Sequence, residues 1–97
     1  MTVFKLRLYV TGRSAQSQRA IDNLNRICES DLPGQFQVEV IDVLEHPDLA
    51  EHAKILATPT LVKHLPEPVR KIIGDLSDRV KVLVGLDVER LNNSVLQ

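Results

Sequence analysis

The 97-residue chain is 43% hydrophobic and 26% charged with a formal net charge of −1, a balance that excludes a disordered polyelectrolyte and gives no global pull toward nucleic acid. Its one cysteine, Cys28, excludes an intramolecular disulfide or a CxxC pair, and Phe4, Tyr9 and Phe36 are too few aromatics for a base-stacking platform. No apolar run is long enough to span a membrane and no basic-then-apolar leader opens the sequence, so a single cytoplasmic domain is expected.

Residues 3–10, VFKLRLYV, place Phe4, Leu6 and Leu8 on one face and Lys5 and Arg7 on the other, which predicts a strand closing on a doubly buried Tyr9-Val10 end. Thr11-Gly12-Arg13 is a turn, after which Ser14 or Ser17 caps a helix carrying Ala20, Ile21, Leu24, Ile27 and Cys28 on its apolar face. Arg19, Asp22, Asn23 and Arg26 fill the wet side, and Asp31-Leu32-Pro33-Gly34 ends the helix. Phe36, Val38 and Val40 alternate into Ile41-Asp42-Val43, a second strand. Strand, helix and strand in this space form a parallel pair with a right-handed crossover.

Pro47 suits the first position of a second helix, with Leu49, Ala53 and Leu56 facing the core. Thr58-Pro59 then leads into a third strand at Thr60 to Val62, where proline belongs only at a strand's first residue or on an edge. A Thr-Pro-Thr entering a strand at this point is similar to the cis-proline segment of thioredoxin-like folds; an ordinary helix-to-strand corner reads the same way. Leu65-Pro66-Glu67-Pro68 breaks the strand, Val69 to Leu76 offers a fourth, and Ser77 precedes a helix with Val80, Leu83, Val84, Val88 and Leu91 on one face. The order is then βαβαββα. The last third has a second reading, because Val82 to Val88 is also a strand-like β-branched run and a mid-helix Gly85 costs roughly 1 kcal/mol relative to Ala. Lys63 to Gly74 likewise reads as strand-loop-strand or as partly helical.

LYVTG, the stretch VIDVLEHPDLAEHAKILATPTLVKHLPEPVRKIIGDLSDR and KVLVGLD together resemble the KaiB family, from about Leu6 to Asp87. The resemblance implies a metamorphic α/β (α+β) protein. Its resting form, the one expected in a crystal, has the order βαββααβ in a homotetramer built as a dimer of dimers. The alternative is a monomer of thioredoxin-like order βαβαββα that binds the KaiC ATPase ring. The implied organisation is one domain over 1–97, with a stable βαβ half at 1–44, a fold-switching half at 45–91 and a tail at 92–97. Pro59, Pro66, Pro68, Gly85 and Asp87 are the residues expected to take part in the switch; in the thioredoxin-like order Gly85 and Asp87 both fall in the last helix. The tail lacks the acidic run many KaiB proteins carry, and Glu39 stands where clock KaiB proteins typically have a basic residue.

Where thioredoxins carry their cysteines this chain has Ser14 and Ser17, which form no disulfide and have helix capping as their ordinary role. Cys28, on an apolar helix face, is expected to be an inert small hydrophobe. His46, His52 and His64 make no i,i+4 pair, and no phosphate-cradling loop is present, so neither metal nor cofactor is expected. Gly74-Asp75-Leu76-Ser77-Asp78 is too short for a calcium loop and is explained by capping. Charged residues remain: Arg19, Lys54, Arg70 and Lys71 are basic, and Glu45, Asp48 and Glu51 are acidic around the second helix. An ordinary solvated face explains them equally well. The resemblance implies that they dock a KaiC-like ATPase or close the resting tetramer, with no nucleic acid and no membrane involved, in a non-catalytic regulator of that ATPase's phosphorylation state, in a circadian clock or a KaiA-independent timer or stress response. A thioredoxin-like redox enzyme lacking CxxC and an adaptor or sensor domain of a clock-type histidine kinase pathway are the alternatives.

Overall fold

The computed structural model describes residues 3–31 and 35–87. Its elements run β1 (Val3–Val10), α1 (Ala15–Asp31), β2 (Gln35–Asp42), α2 (Pro47–His52), β3 (Thr60–Leu65), β4 (Arg70–Ile73) and α3 (Arg79–Gly85). This is the thioredoxin-like order of the two. The strands lie in the order β2-β1-β3-β4. β1 runs parallel to β2 with Leu6 opposite Val38. β3 is antiparallel to both β1 and β4.

Strand alternation sorts side chains onto two layers. Phe4, Leu6, Leu8 and Val10 of β1 and Leu61 of β3 face α1 and α3, and with Ala20, Leu24, Ile27, Cys28, Leu76, Val82 and Leu86 they form the larger core. Tyr9, Ile41 and Val62 point the other way and are covered by Leu49, Ala53 and Ile55 around α2. α1 buries Ala20, Leu24, Ile27 and Cys28 as its spacing predicts, leaves Ile21 only partly buried, and buries Ser17 in addition. Ser14 caps it, its hydroxyl accepting the Ser17 N–H at 3.1 Å.

α2 starts on Pro47 at its first helical position. It ends in a Schellman turn, with Ile55 N–H donating to Ala50 C=O at 2.9 Å and Lys54 N–H to Glu51 C=O at 3.0 Å. The left-handed position of that turn, usually glycine, is Lys54 at φ 57°. The turn sends the chain away from the core, so Leu56, expected to face it, is 96% exposed.

β3 runs on to Leu65, past the expected Val62, because it stays paired with β1 as far as Lys5 opposite Leu65. β4 stops at Ile73 instead of Leu76, since Gly74 at φ 122° turns the chain and Leu76, itself at φ 64°, drops into the core from the loop. α3 also differs from expectation in its buried face. Val82 and Leu86 enter the core and Leu83 is half-buried, whereas Val80 and Val84 are 70% and 53% exposed. Asp78 sets this rotation by accepting the Lys81 N–H at 3.1 Å as N-cap, and Arg79 pairs with both carboxylate oxygens of Asp31. Val88, Leu91 and the 92–97 tail lie outside the described residues.

Candidate functional site

Three groups of polar residues stand out on this frame. The first lies where β1 turns into α1, beside Thr58-Pro59. Gly12 takes φ 53° there, and Asp42 at the end of β2 accepts the N–H groups of Gly12 at 3.0 Å and Leu44 at 2.9 Å. Those two donors hold the Asp42 carboxyl below the usual carboxylate range. The Ser14 hydroxyl donates to Ser17 Oγ at 2.8 Å, Ser17 Oγ accepts the Thr11 N–H at 3.2 Å, and the Thr11 and Thr58 hydroxyls bond to each other. Both serines are spent on capping and bracing the turn. Among the described residues, no histidine, lysine or carboxylate hydrogen-bonds to either, so neither has an activating base. Cys28 is buried in the core, where desolvation first and Glu29 second push its thiol up to about 11. This corner keeps a thioredoxin's shape without its nucleophile.

The second group surrounds α2. Glu45, Asp48, Glu51 and Lys54 are all exposed. Lys71 of β4 reaches across to donate to the Ala53 carbonyl at 2.7 Å, next to Lys54. Five of the seven expected partner-binding residues therefore share the α2 side of the sheet. Leu44 and Leu56, 68% and 96% exposed, flank them.

Arg19 and Arg70 are not part of that surface. Arg19 on α1 meets Asp75 at 3.4 Å in the β4–α3 loop, and Asn23 Nδ2 donates to the Asp75 carbonyl at 2.8 Å. Ser77 chiefly, and then Arg19, hold the Asp75 carboxyl below its ordinary range. Arg70 belongs to the third group. Its Nε donates to Asp87 Oδ2 at 3.2 Å, and the same oxygen lies 3.4 Å from Lys63 Nζ. Lys63 is fully buried and also donates to the Leu86 carbonyl at 3.2 Å. Arg70 first and Lys63 second depress the Asp87 carboxyl.

Of the residues expected to take part in a switch, Pro59 is buried at the entry to β3, and Pro66 and Pro68 lie in the turn between β3 and β4. All three follow cis peptide bonds. Gly85 is the last residue of α3, and an added Cβ would lie 2.8 Å from Ile72 Cδ1. Asp87 is not in the helix but one residue past its C-cap, at φ 62°. Glu39 pairs with Arg7, opposite it on β1, at 2.7 Å. Sequence reasoning passed over Lys63; the available signal was its parity, since it alternates with Leu61 onto the core face.

The thioredoxin-like fold holds braced serines at its cysteine positions and displays a mixed-charge helix beside exposed leucines. Solved structures share the fold. The N-terminal domain of Synechococcus elongatus SasA matches with a TM-score of 0.72 at 27% identity, covering 92% of this chain and 87% of that one. Mitochondrial thioredoxin 3 from Saccharomyces cerevisiae matches with a TM-score of 0.70 at 19% identity over 87% of this chain and 76% of that one. Residues 7–88 match the KaiB domain model. A circadian clock protein KaiB3 from a Synechocystis strain is 59% identical over 86% of this chain and 81% of its own length. Circadian clock oscillator proteins KaiB from Acaryochloris marina and Microcystis aeruginosa are 54% and 56% identical, each over 97% of this chain and covering 92% and 100% of the relatives. The chain belongs to the KaiB family. No helix among the described residues is long and apolar enough to cross a membrane.

Proposed function

We propose that this chain is a non-catalytic regulatory module of the cytoplasm that binds a KaiC-like ATPase ring and modulates its phosphorylation state, as a clock component or a KaiA-independent timer. The observation that carries the reading is the first group of residues. The fold of a thioredoxin is kept while both hydroxyls at its reactive corner are consumed in bracing the turn, so the fold serves recognition. The docking surface is the α2 side, with Glu45, Asp48, Glu51, Lys54 and Lys71. Charge complementarity there sets on-rate and partner choice more than raw affinity. Arg19 and Arg70, tied to Asp75 and Asp87, have a structural task first.

The test is co-elution of the chain with a KaiC-like ring, comparing Glu51→Lys, Lys54→Glu and Arg19→Ala. The two α2-side charge reversals should slow association by tenfold or more, on the scale of electrostatic steering, and Arg19→Ala should change it least. Binding unaffected by either reversal would remove α2 from the interface. Reduction of insulin disulfides by the chain would overturn the non-catalytic reading.

A further inference from the structure

Lys63 carries its ammonium at 0% exposure, on the layer between the sheet and α3. Lysine is almost never buried this far unless its charge is answered. Two groups answer it, the Leu86 carbonyl at 3.2 Å and Asp87 Oδ2 at 3.4 Å. Both stand at the C-terminal end of α3, where unsatisfied carbonyls gather partial negative charge. Asp87 takes up its place by adopting φ 62° directly after the C-cap, a backbone that aspartate tolerates better than most residues.

The apolar anchors at that end are Leu86, fully buried, and half-buried Leu83. α3 has seven residues, too few to be stable in isolation. Only Val82 within it is buried, with Leu86 just beyond, while Val80 and Val84 face solvent. The Arg79 pair with Asp31 holds the other end but is exposed on the arginine side, and exposed pairs hold weakly. We infer that the buried ammonium of Lys63, clamped between the Leu86 carbonyl and Asp87, is a latch that decides whether α3 is docked, so that α3 leaves as a unit while β1 to β4 remain paired. When α3 leaves, Lys63, Leu86 O and Asp87 all regain water together. When it docks, all three must find one another, which leaves no half-docked arrangement with a satisfied ammonium. Arg70 is the accessible member of the cluster and tunes Asp87 from outside.

Amide hydrogen exchange on the full chain tests this with Asp87→Asn, Lys63→Met and the double variant. Asp87→Asn leaves the ammonium buried without a counter-charge, and should speed exchange at the Val82 and Leu86 amides by about ten- to hundredfold, the range of a charge-assisted hydrogen bond. Leu8 and Tyr9 amides in β1 should change by less than about threefold, the scatter expected for independent sites. The double variant removes charge and counter-charge together, and should return the α3 amides to within about tenfold of the parent, because a neutral pair carries no desolvation debt. Equal loosening of β1 and α3, unchanged α3 amides, or a double variant no better than the worse single variant would each overturn the latch. If the single variants do not fold but the double does, the Lys63–Asp87 pair holds the whole sheet and not α3 alone, and the latch is wrong. If none of the three folds, Lys63 and Asp87 serve the whole sheet and the latch is wrong.

Discussion

Lys54 carries two roles that can be pulled apart. Its backbone closes the Schellman turn after α2 in the left-handed region, at φ 57°, while its side chain is exposed. A non-glycine residue held there costs about 1–2 kcal/mol, which glycine avoids. Lys54→Gly should therefore raise stability by about 0.5–1 kcal/mol after the greater entropy of the unfolded glycine chain is counted. Lys54→Ala keeps the strain and should not. Urea midpoints of the two variants beside the parent decide the matter. Gly85 presents the opposite case. Alanine there gains about 1 kcal/mol of helix propensity but its Cβ would meet Ile72 Cδ1 at 2.8 Å. Because that atom is the flexible end of its side chain, Gly85→Ala alone should be close to neutral. In an Ile72→Val background, where the Cδ1 is gone and only the Cγ1 position at 3.0 Å stays close, the same substitution should be more favourable than in the parent, by less than about 1 kcal/mol. Equal effects in both backgrounds would show that Ile72 does not oppose it.

Among the elements, β1 and α1 were legible in the sequence because their patterns are decided locally. Alternation over Val3–Val10 and a 3.6-residue stripe from Ala20 to Cys28 each admit one reading. α2 and α3 were less so. Nothing in Lys54 announces a Schellman turn that glycine would signal, so the spacing places Leu56 on a helix that ends before it. Val80 and Val84 have the spacing of a buried stripe, but the Asp78 cap and the Leu76 anchor rotate Val82 and Leu86 inward instead. The candidate surface was legible as residue types, and its division into an α2 side and two tied arginines was not, since tertiary partners decide which charges are free. The junctions between elements also fix the pH response. Asp42, Asp75 and Asp87 have folded-state values below the unfolded carboxylate range. Their contribution is present above about pH 4 and is lost as pH falls through the lower folded values. His64, beside Arg7 and Lys5, is depressed chiefly by desolvation, so its contribution is present above about pH 6.5 and fades below it. Thermal melts should show two decrements on acidification, with the upper one missing in His64→Gln. A single decrement in the parent would rule out the His64 part.

On the scale of the whole molecule the two halves are built differently. Among the described residues, the non-glycine residues at positive φ are Lys54, Leu76 and Asp87, and all three fall in the 45–91 half. Backbone strain of this kind persists only where surrounding contacts over-determine it. Exposed Leu56, Leu65, Val69, Ile73, Val80 and Val84 belong to the same half, against Phe36, Val40 and Leu44 in the first. Strain and unburied apolar surface together leave room for a second arrangement of that half to compete with this one. This is in line with what the family resemblance implies, a resting homotetramer of βαββααβ protomers and a thioredoxin-like monomer that binds the partner. Relief of strain at one residue then becomes a population lever. If Lys54→Gly lowers the free energy of this form by about 1 kcal/mol and leaves the other form unchanged, the monomer fraction rises about fivefold, since 1.4 kcal/mol is a factor of ten. Light scattering and NMR at a protein concentration where the parent is mostly tetrameric would read the shift. Lys54→Ala, which loses the same charge without relieving the backbone, separates strain from electrostatics. A parent that is wholly monomeric at tens of micromolar, by rough estimate, would sink the resting assignment. A tetramer equally unmoved by both variants would show that strain at the α2 turn does not govern the choice between forms.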